Sequence, residues 1–178
     1  MPSPIAHLAV ALSASVASAP GSRFRSGRVL VASAVASLIP DADLVLVALL
    51  PGGIAWHHGP SHSLVGAALL GAAVGLSAGL RGRVLAWVVV AAVTHPVLDW
   101  ELGEPGGDPR FGVPLLWPLV TTKMIAAWPI FRPFHIHEPG FVANMFRADA
   151  VVPYLRELGF GAVVMGAAWL GAGHRSRR

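Results

Sequence analysis

Imidazole and carboxylate side chains recur in three short clusters of an otherwise apolar chain: Pro40-Asp41-Ala42-Asp43, His57-His58-Gly59-Pro60-Ser61-His62-Ser63 and Thr94-His95-Pro96-Val97-Leu98-Asp99. Ionisable groups in apolar surroundings are costly unless they are paired, metal-bound or functional. Imidazole nitrogen and carboxylate oxygen together form the donor set of a hydrolytic metal centre. The chain has no cysteine, so any metal site must be built from nitrogen and oxygen. A divalent metal is therefore the cofactor these residues suggest: zinc first, with manganese or another divalent ion as alternatives.

Each cluster has a more ordinary reading. Pro40 can stop one helix while an aspartate caps the next; that accounts for one of Asp41 and Asp43 but less well for both. Two carboxylates one residue apart can instead grip or bridge cations from a bent backbone. His57, His58 and His62 surround Gly59-Pro60, with Ser61 placed to cap a helix beginning near Ser63. His58 reads as an exposed loop side chain, whereas His62 enters the apolar run Leu64-Val65-Gly66-Ala67. His95 and Asp99 have i,i+4 spacing and share one face of a helix. They can bind a metal together or simply hydrogen-bond to each other. His7, in Ile5-Ala6-His7-Leu8-Ala9, reads on its own as a satisfied core histidine. His135 and His137 would project to one side if extended, as substrate or extra metal contacts or as part of a polar interfacial loop.

The elements that must position these residues are hydrophobic helices. The chain has 178 residues, of which 54% are hydrophobic and 12% charged, with mean hydropathy +0.64. Soluble domains carry about 25% charged residues, so the composition points to a membrane. Apolar stretches run over 5–19, 29–50, 64–80, 84–98, 113–131 and 160–173. Small residues within them allow close helix approach. The expected fold is all-α: one domain over 1–178, an integral membrane bundle of about five helices. The stretch 113–131 holds Pro114, Pro118 and Pro129 and suits a re-entrant or interfacial segment. Ala17-Ser18-Ala19 looks like a signal-peptide cleavage site, but no positive charge precedes it and His7 interrupts the run, so a retained first helix is expected.

The net charge of +4 comes almost wholly from arginine, and no aromatic-interleaved basic stripe suggests a nucleic-acid partner. Arg23, Arg25 and Arg28 join the first two stretches, Arg81 and Arg83 join the third and fourth, and Arg175, Arg177 and Arg178 lie at the end of the sequence. The positive-inside rule places all three groups in the cytoplasm. Alternation from there puts His7, His57 to His62 and Asp99 toward the outer face. Asp41, 13 residues past Arg28, lies roughly 20 Å away along a helix and joins them.

Ile39-Pro40-Asp41-Ala42-Asp43, His57-His58-Gly59-Pro60-Ser61-His62-Ser63, His95-Pro96-Val97-Leu98-Asp99 and Gly112-Val113-Pro114-Leu115-Leu116-Trp117-Pro118 together resemble the YdjM-like family of inner-membrane, metal-dependent hydrolases. The family pattern reads Leu-Pro-Asp-x-Asp, His-Arg-Gly-x-Thr-His-Ser, Ser-His-x-x-x-Asp and Gly-Val-Pro-Leu-Leu-Trp-Pro. The match covers roughly residues 5–118. By position, the resemblance implies His7, Asp41, Asp43, His57, His62, His95 and Asp99 as metal ligands, with Asp41, Asp43 and His62 as the catalytic candidates. A more distant similarity to the zinc-dependent phospholipase C and single-strand nuclease superfamily implies phosphoester hydrolysis. The chain departs from the pattern at His58, where the family prefers arginine, and at Leu44, where histidine often follows. It also departs at Glu101 to Phe111, an insertion replacing the family's threonine.

The expected function is hydrolysis of a phosphoester or related ester by metal-activated water. Seven ligands allow more than one metal, bridged by Asp41 or Asp43. The expected setting is multi-pass in the cell's inner membrane, in contact with membrane lipid, with a lipid-linked or amphiphilic phosphoester as substrate. The competing readings are a metal or proton transporter using the same residues and a non-catalytic protein whose metal holds short helices together.

Overall fold

Serine and proline punctuate the chain. The computed structural model describes residues 4–49, 57–102, 112–131 and 146–175. Its helices are α1 (Pro4–Val16), α2 (Gly27–Leu38), α3 (Leu44–Leu49), α4 (Leu64–Ser77), α5 (Gly82–Trp100) and α6 (Val151–Arg175). Ser26 and Ser63 open α2 and α4 by accepting from the backbone N–H groups of Val29 and Gly66, which satisfies donors a helix start leaves unpaired. Ser63, and not Ser61 as the sequence suggests, is the cap of α4. Pro40 cannot supply the donor a continuing helix needs. The stretch 29–50 therefore breaks into α2, a 3₁₀ turn over Ile39–Asp43, and α3. Asp41 and Asp43 sit in that turn.

The all-α expectation stands: the described residues contain five helices of 12 to 25 residues and no β-strand. Two segments, Gly82–Trp100 and Ala148–Gly173, are long and apolar enough to cross a membrane. The last helix starts at Val151, earlier than the apolar stretch at 160 suggests. Arg156 and Glu157 interrupt the apolar run, yet Glu157 is packed inside with 1% exposure.

Helix α5 is the spine. Alpha4 lies along it with Gly71 and Gly75 at the seam, where a Cβ would strike Ala92 and Leu85 respectively. Small residues four apart let two backbones approach this closely. On another side α5 packs on α2, with Val29, Ala32, Ala36, Val84, Val88 and Ala92 buried together. Alpha1 lies between α2 and α6, and the Trp87 indole ties it to α5 by donating to the Ala11 carbonyl at 3.1 Å.

The stretch 113–131 is neither helix nor straight span. It runs out and returns: Val113 and Met124 exchange backbone hydrogen bonds of 3.0 and 2.9 Å. Three further bonds pin it across the start of α4 and the end of α5: Leu64 N–H to Leu115 O, Ala126 N–H to Trp100 O and Phe131 N–H to Glu101 O. The resulting cap covers one end of the bundle. That end also holds the Ile39–Asp43 turn, the His57–His62 segment and the C-terminal turns of α5. The loops bearing Arg23, Arg25, Arg28, Arg81 and Arg83 occupy the opposite end, roughly 24 Å away along α5 from Arg83 to Asp99. The arginine pattern in the sequence thus located the two ends correctly relative to each other.

Candidate metal centre

Five elements converge on the capped end. Helix α1 brings His7, the 3₁₀ turn brings Asp41 and Asp43, and the loop and short turn before α4 bring His57, His58 and His62. Helix α5 brings His95 and Asp99 on one face. All seven expected ligands therefore meet, together with His58. His7, His62 and His95 are fully buried, and Asp99 and His57 are 2% exposed. His135 and His137 lie outside the described residues, as do Glu104 and Asp108 of the insertion.

Four imidazoles are fixed through Nδ1. His95 Nδ1 is 2.7 Å from the Ser37 carbonyl and His58 Nδ1 is 3.1 Å from the Gly112 carbonyl. A carbonyl only accepts, so both Nδ1 atoms carry the proton. His57 Nδ1 donates to Asp43 Oδ1 at 2.8 Å, and His62 Nδ1 lies 3.2 Å from Asp43 Oδ2. In the neutral ring, each Nε2 then presents a lone pair to the interior. This is how outer hydrogen bonds orient metal-binding histidines.

Lone pairs facing lone pairs need something between them. His62 Nε2 and His95 Nε2 are 3.3 Å apart. His62 Nε2 lies 3.3 Å from Asp41 Oδ1 and 3.4 Å from Asp99 Oδ2, and His95 Nε2 lies 3.4 and 3.1 Å from the same two oxygens. Five edges of this four-atom figure thus measure 3.1–3.4 Å. Four ligands placed about 2.0–2.1 Å from a tetrahedral ion stand roughly 3.3–3.4 Å from one another. Asp41, His62, His95 and Asp99 therefore fit a single divalent ion in donor chemistry and spacing.

Around this quartet lie polar atoms with no hydrogen-bond partner among the described residues: both ring nitrogens of His7 and Nε2 of His57 and His58. Leaving such atoms buried and unsatisfied costs about 1–3 kcal/mol each, which counts against a satisfied core role for His7. His7 stacks on His95 with ring centroids 4.0 Å apart and points Nε2 at Asp99 Oδ1, 3.7 Å away. His57, His58 and His62 form a further group able to hold an ion, as do Asp41, Asp43, His57 and His62.

His58 and Lys123 are the residues that sequence reasoning undervalued. His58 is buried, not exposed, at 4%. Its backbone φ of +56° is uncommon outside glycine, and such conformations gather at functional sites. The turn it makes before Gly59-Pro60 aims its Nε2 toward Asp99 Oδ2, 3.9 Å away. Lys123, the single lysine, reaches from the cap to donate to the His57 carbonyl at 3.2 Å. Burial lowers its pKa, while the Asp43 charge partly restores it. Its solitary place in an apolar segment was the available signal.

Charge at the rim follows from these contacts. Burial would raise the Asp43 pKa, but hydrogen bonds from His57 and His62 outweigh it and hold the carboxyl well below the usual range. Burial opposes protonation of His62, yet hydrogen bonds to Asp41 and Asp43 leave its pKa raised. A proton and a metal ion thus compete for the same charge-deficient centre. Asp41 and Asp43 are its partly open side chains, 13% and 8% exposed, and mark its mouth.

The family described as YdjM inner membrane protein matches over residues 1–176. No curated protein and no solved structure matches the chain. The family match spans the whole helical bundle, the cap and the His/Asp centre, and the chain belongs to the YdjM inner membrane protein family.

Proposed function

We propose that this chain is a multi-pass inner-membrane hydrolase that cleaves a phosphoester or related ester with the help of a bound divalent metal, zinc by preference. The observation that carries this reading is the quartet of Asp41, His62, His95 and Asp99, whose nitrogens and oxygens stand at tetrahedral spacing with both imidazoles fixed to present Nε2. Those four residues would hold the first ion. His57, His58 and His62 form the further group that would hold a second ion, with His7 Nε2 standing 3.7 Å from Asp99 Oδ1 beside it. A metal in such a site supplies Lewis acidity and an activated water near neutral pH.

The remaining roles belong to the chain. Asp43 lies outside the quartet and orients His57 and His62 through their Nδ1 protons at the mouth. Lys123 stands near Asp43 and can neutralise a phosphoryl oxygen. Leu119 and Trp128 on the cap are 92% and 83% exposed. Large exposed apolar side chains beside a polar mouth support an amphiphilic substrate presented from the lipid.

The test is hydrolysis of a panel of phosphodiesters, phosphomonoesters and carboxylic esters by purified protein. Activity should fall with a strong chelator, return on adding zinc or manganese, and vanish in Asp41→Ala that still folds and inserts. Rapid ion exchange with uptake into proteoliposomes, and no cleavage of any ester, would establish a transporter instead.

A further inference from the structure

The arginine end of the bundle holds a second site of different chemistry. A cavity of 930 Å³ opens between the C-terminal turns of α1 and α6 and the starts of α2 and α5. Arg25 and Arg83 line it with Phe24, Trp169 and the small residues Ala17 and Ala172, and no acidic residue is among its lining. Arg25 is anchored from below: its Nε is 3.2 Å from Ser15 O and 3.0 Å from Ser18 O, carbonyls at and just beyond the end of α1. The Trp169 ring, 68% exposed, stands at the same opening near the end of α6.

We infer that this cavity binds the headgroup of an anionic phospholipid at the cytoplasmic surface of the membrane. Three independent features meet there. Two guanidinium groups with no carboxylate beside them among the described lining residues match a phosphate, which arginine binds in bidentate fashion. A tryptophan and a phenylalanine beside them suit the depth at which amphipathic rings settle in a bilayer. Small residues in the wall leave room for the first carbons of an acyl chain. Depth agrees as well: Arg83 opens α5, one of the two segments able to cross a membrane, so the cavity sits at the water-facing end of a span. Its position on the arginine side is the side where anionic lipids draw basic residues. The inference rests on membership of an inner-membrane family and not on hydrolysis, and its test does not involve turnover.

Full-length protein in detergent is titrated with dioleoylphosphatidylglycerol, with dioleoylphosphatidylcholine and with inorganic phosphate, and bound molecules are counted by native mass spectrometry. Phosphatidylglycerol should be retained in preference to phosphatidylcholine, and millimolar phosphate should displace little of it, because the headgroup and chain bind together. Arg83→Gln should weaken retention about fivefold, in line with one arginine near an anionic surface. Arg25→Gln should do the same, but it also removes the bonds to Ser15 and Ser18, so Arg83→Gln is the decisive variant. Arg23→Gln, which lies at the same end outside the cavity, should change retention less than twofold. In bilayers, phosphatidylglycerol brominated near the headgroup should quench wild-type tryptophan fluorescence more than that of Trp169→Phe. Equal retention of the two lipids, equal loss in Arg23→Gln and Arg83→Gln, or equal quenching with and without Trp169 would each overturn the site. Full displacement by phosphate would assign it to the free anion.

Discussion

The two ends of the bundle solve opposite electrostatic problems with the same helices. At the capped end, five imidazoles and Asp99 are buried to a few per cent, with Asp41 and Asp43 at the mouth, and the groups hold one another in place. At the other, Arg23, Arg25, Arg28, Arg81 and Arg83 are exposed. Burying charge is costly unless it is paired, so the first end is stable only as a set, whereas the second tolerates loss of any member. Interdependence, and not charge count, separates a built centre from a surface.

The largest effects should follow from breaking the quartet. His95→Ala or Asp99→Ala should weaken metal binding by more than about 100-fold, beyond what loss of an outer-shell partner costs. Metal content after dialysis, measured by elemental mass spectrometry, is the check; Asp149→Asn, at an exposed pair with Arg147, should leave it unchanged. If Asp99→Ala retains full metal content, the capped end is not a centre of this kind.

Asp43→Asn sharpens the comparison from inside. As an orienting carboxylate, its loss should lower metal affinity about 10–100-fold while leaving stoichiometry at saturation intact. A lower stoichiometry would make Asp43 a ligand.

Acidity probes the same end. Because the His62 pKa is raised, the proton competes for the centre above the ordinary imidazole range. Metal affinity should rise with pH, about tenfold per unit for each proton displaced, and fall on acidification toward pH 6. A pH-independent affinity between 6 and 8 would exclude His62 as a ligand.

The smallest effects belong to the arginine end. Arg28→Gln or Arg81→Gln should shift stability by no more than about 0.5 kcal/mol and leave metal content unchanged. Thermal unfolding in detergent checks this, and a loss of metal in either variant would show that the two ends are coupled.

Much of the centre was legible from residue type and spacing because each cluster breaks an apolar pattern. Asp41 and Asp43 follow a proline, His95 and Asp99 keep helical spacing, and His62 precedes an apolar run; all three clusters meet. His58 was misread because burial of a loop side chain depends on a partner far away in sequence, here the Gly112 carbonyl. Ser61 looked like a cap because a serine one or two residues before a helix fits either role; it lies instead 3.1 Å from His62 Nδ1. Lys123 could be counted but not placed, since the path of 113–131 is set by backbone bonds to Trp100 and Glu101 and not by its own hydropathy. The start of α6 was obscured because local hydropathy cannot see that Glu157 is packed inside.

Two of the acceptors that orient the histidines, at Ser37 and Gly112, are main-chain carbonyls. Replacing the Ser37 side chain leaves its acceptor atom in being, whereas at Gly112 any Cβ would strike the Met124 backbone and shift the carbonyl. Asp43 gives the same service from a side chain and can be lost in a single substitution. Genetic drift should therefore find His57, His62 and His58 easier to disorient than His95, so the centre is protected where its acceptor is a carbonyl that no side-chain change displaces.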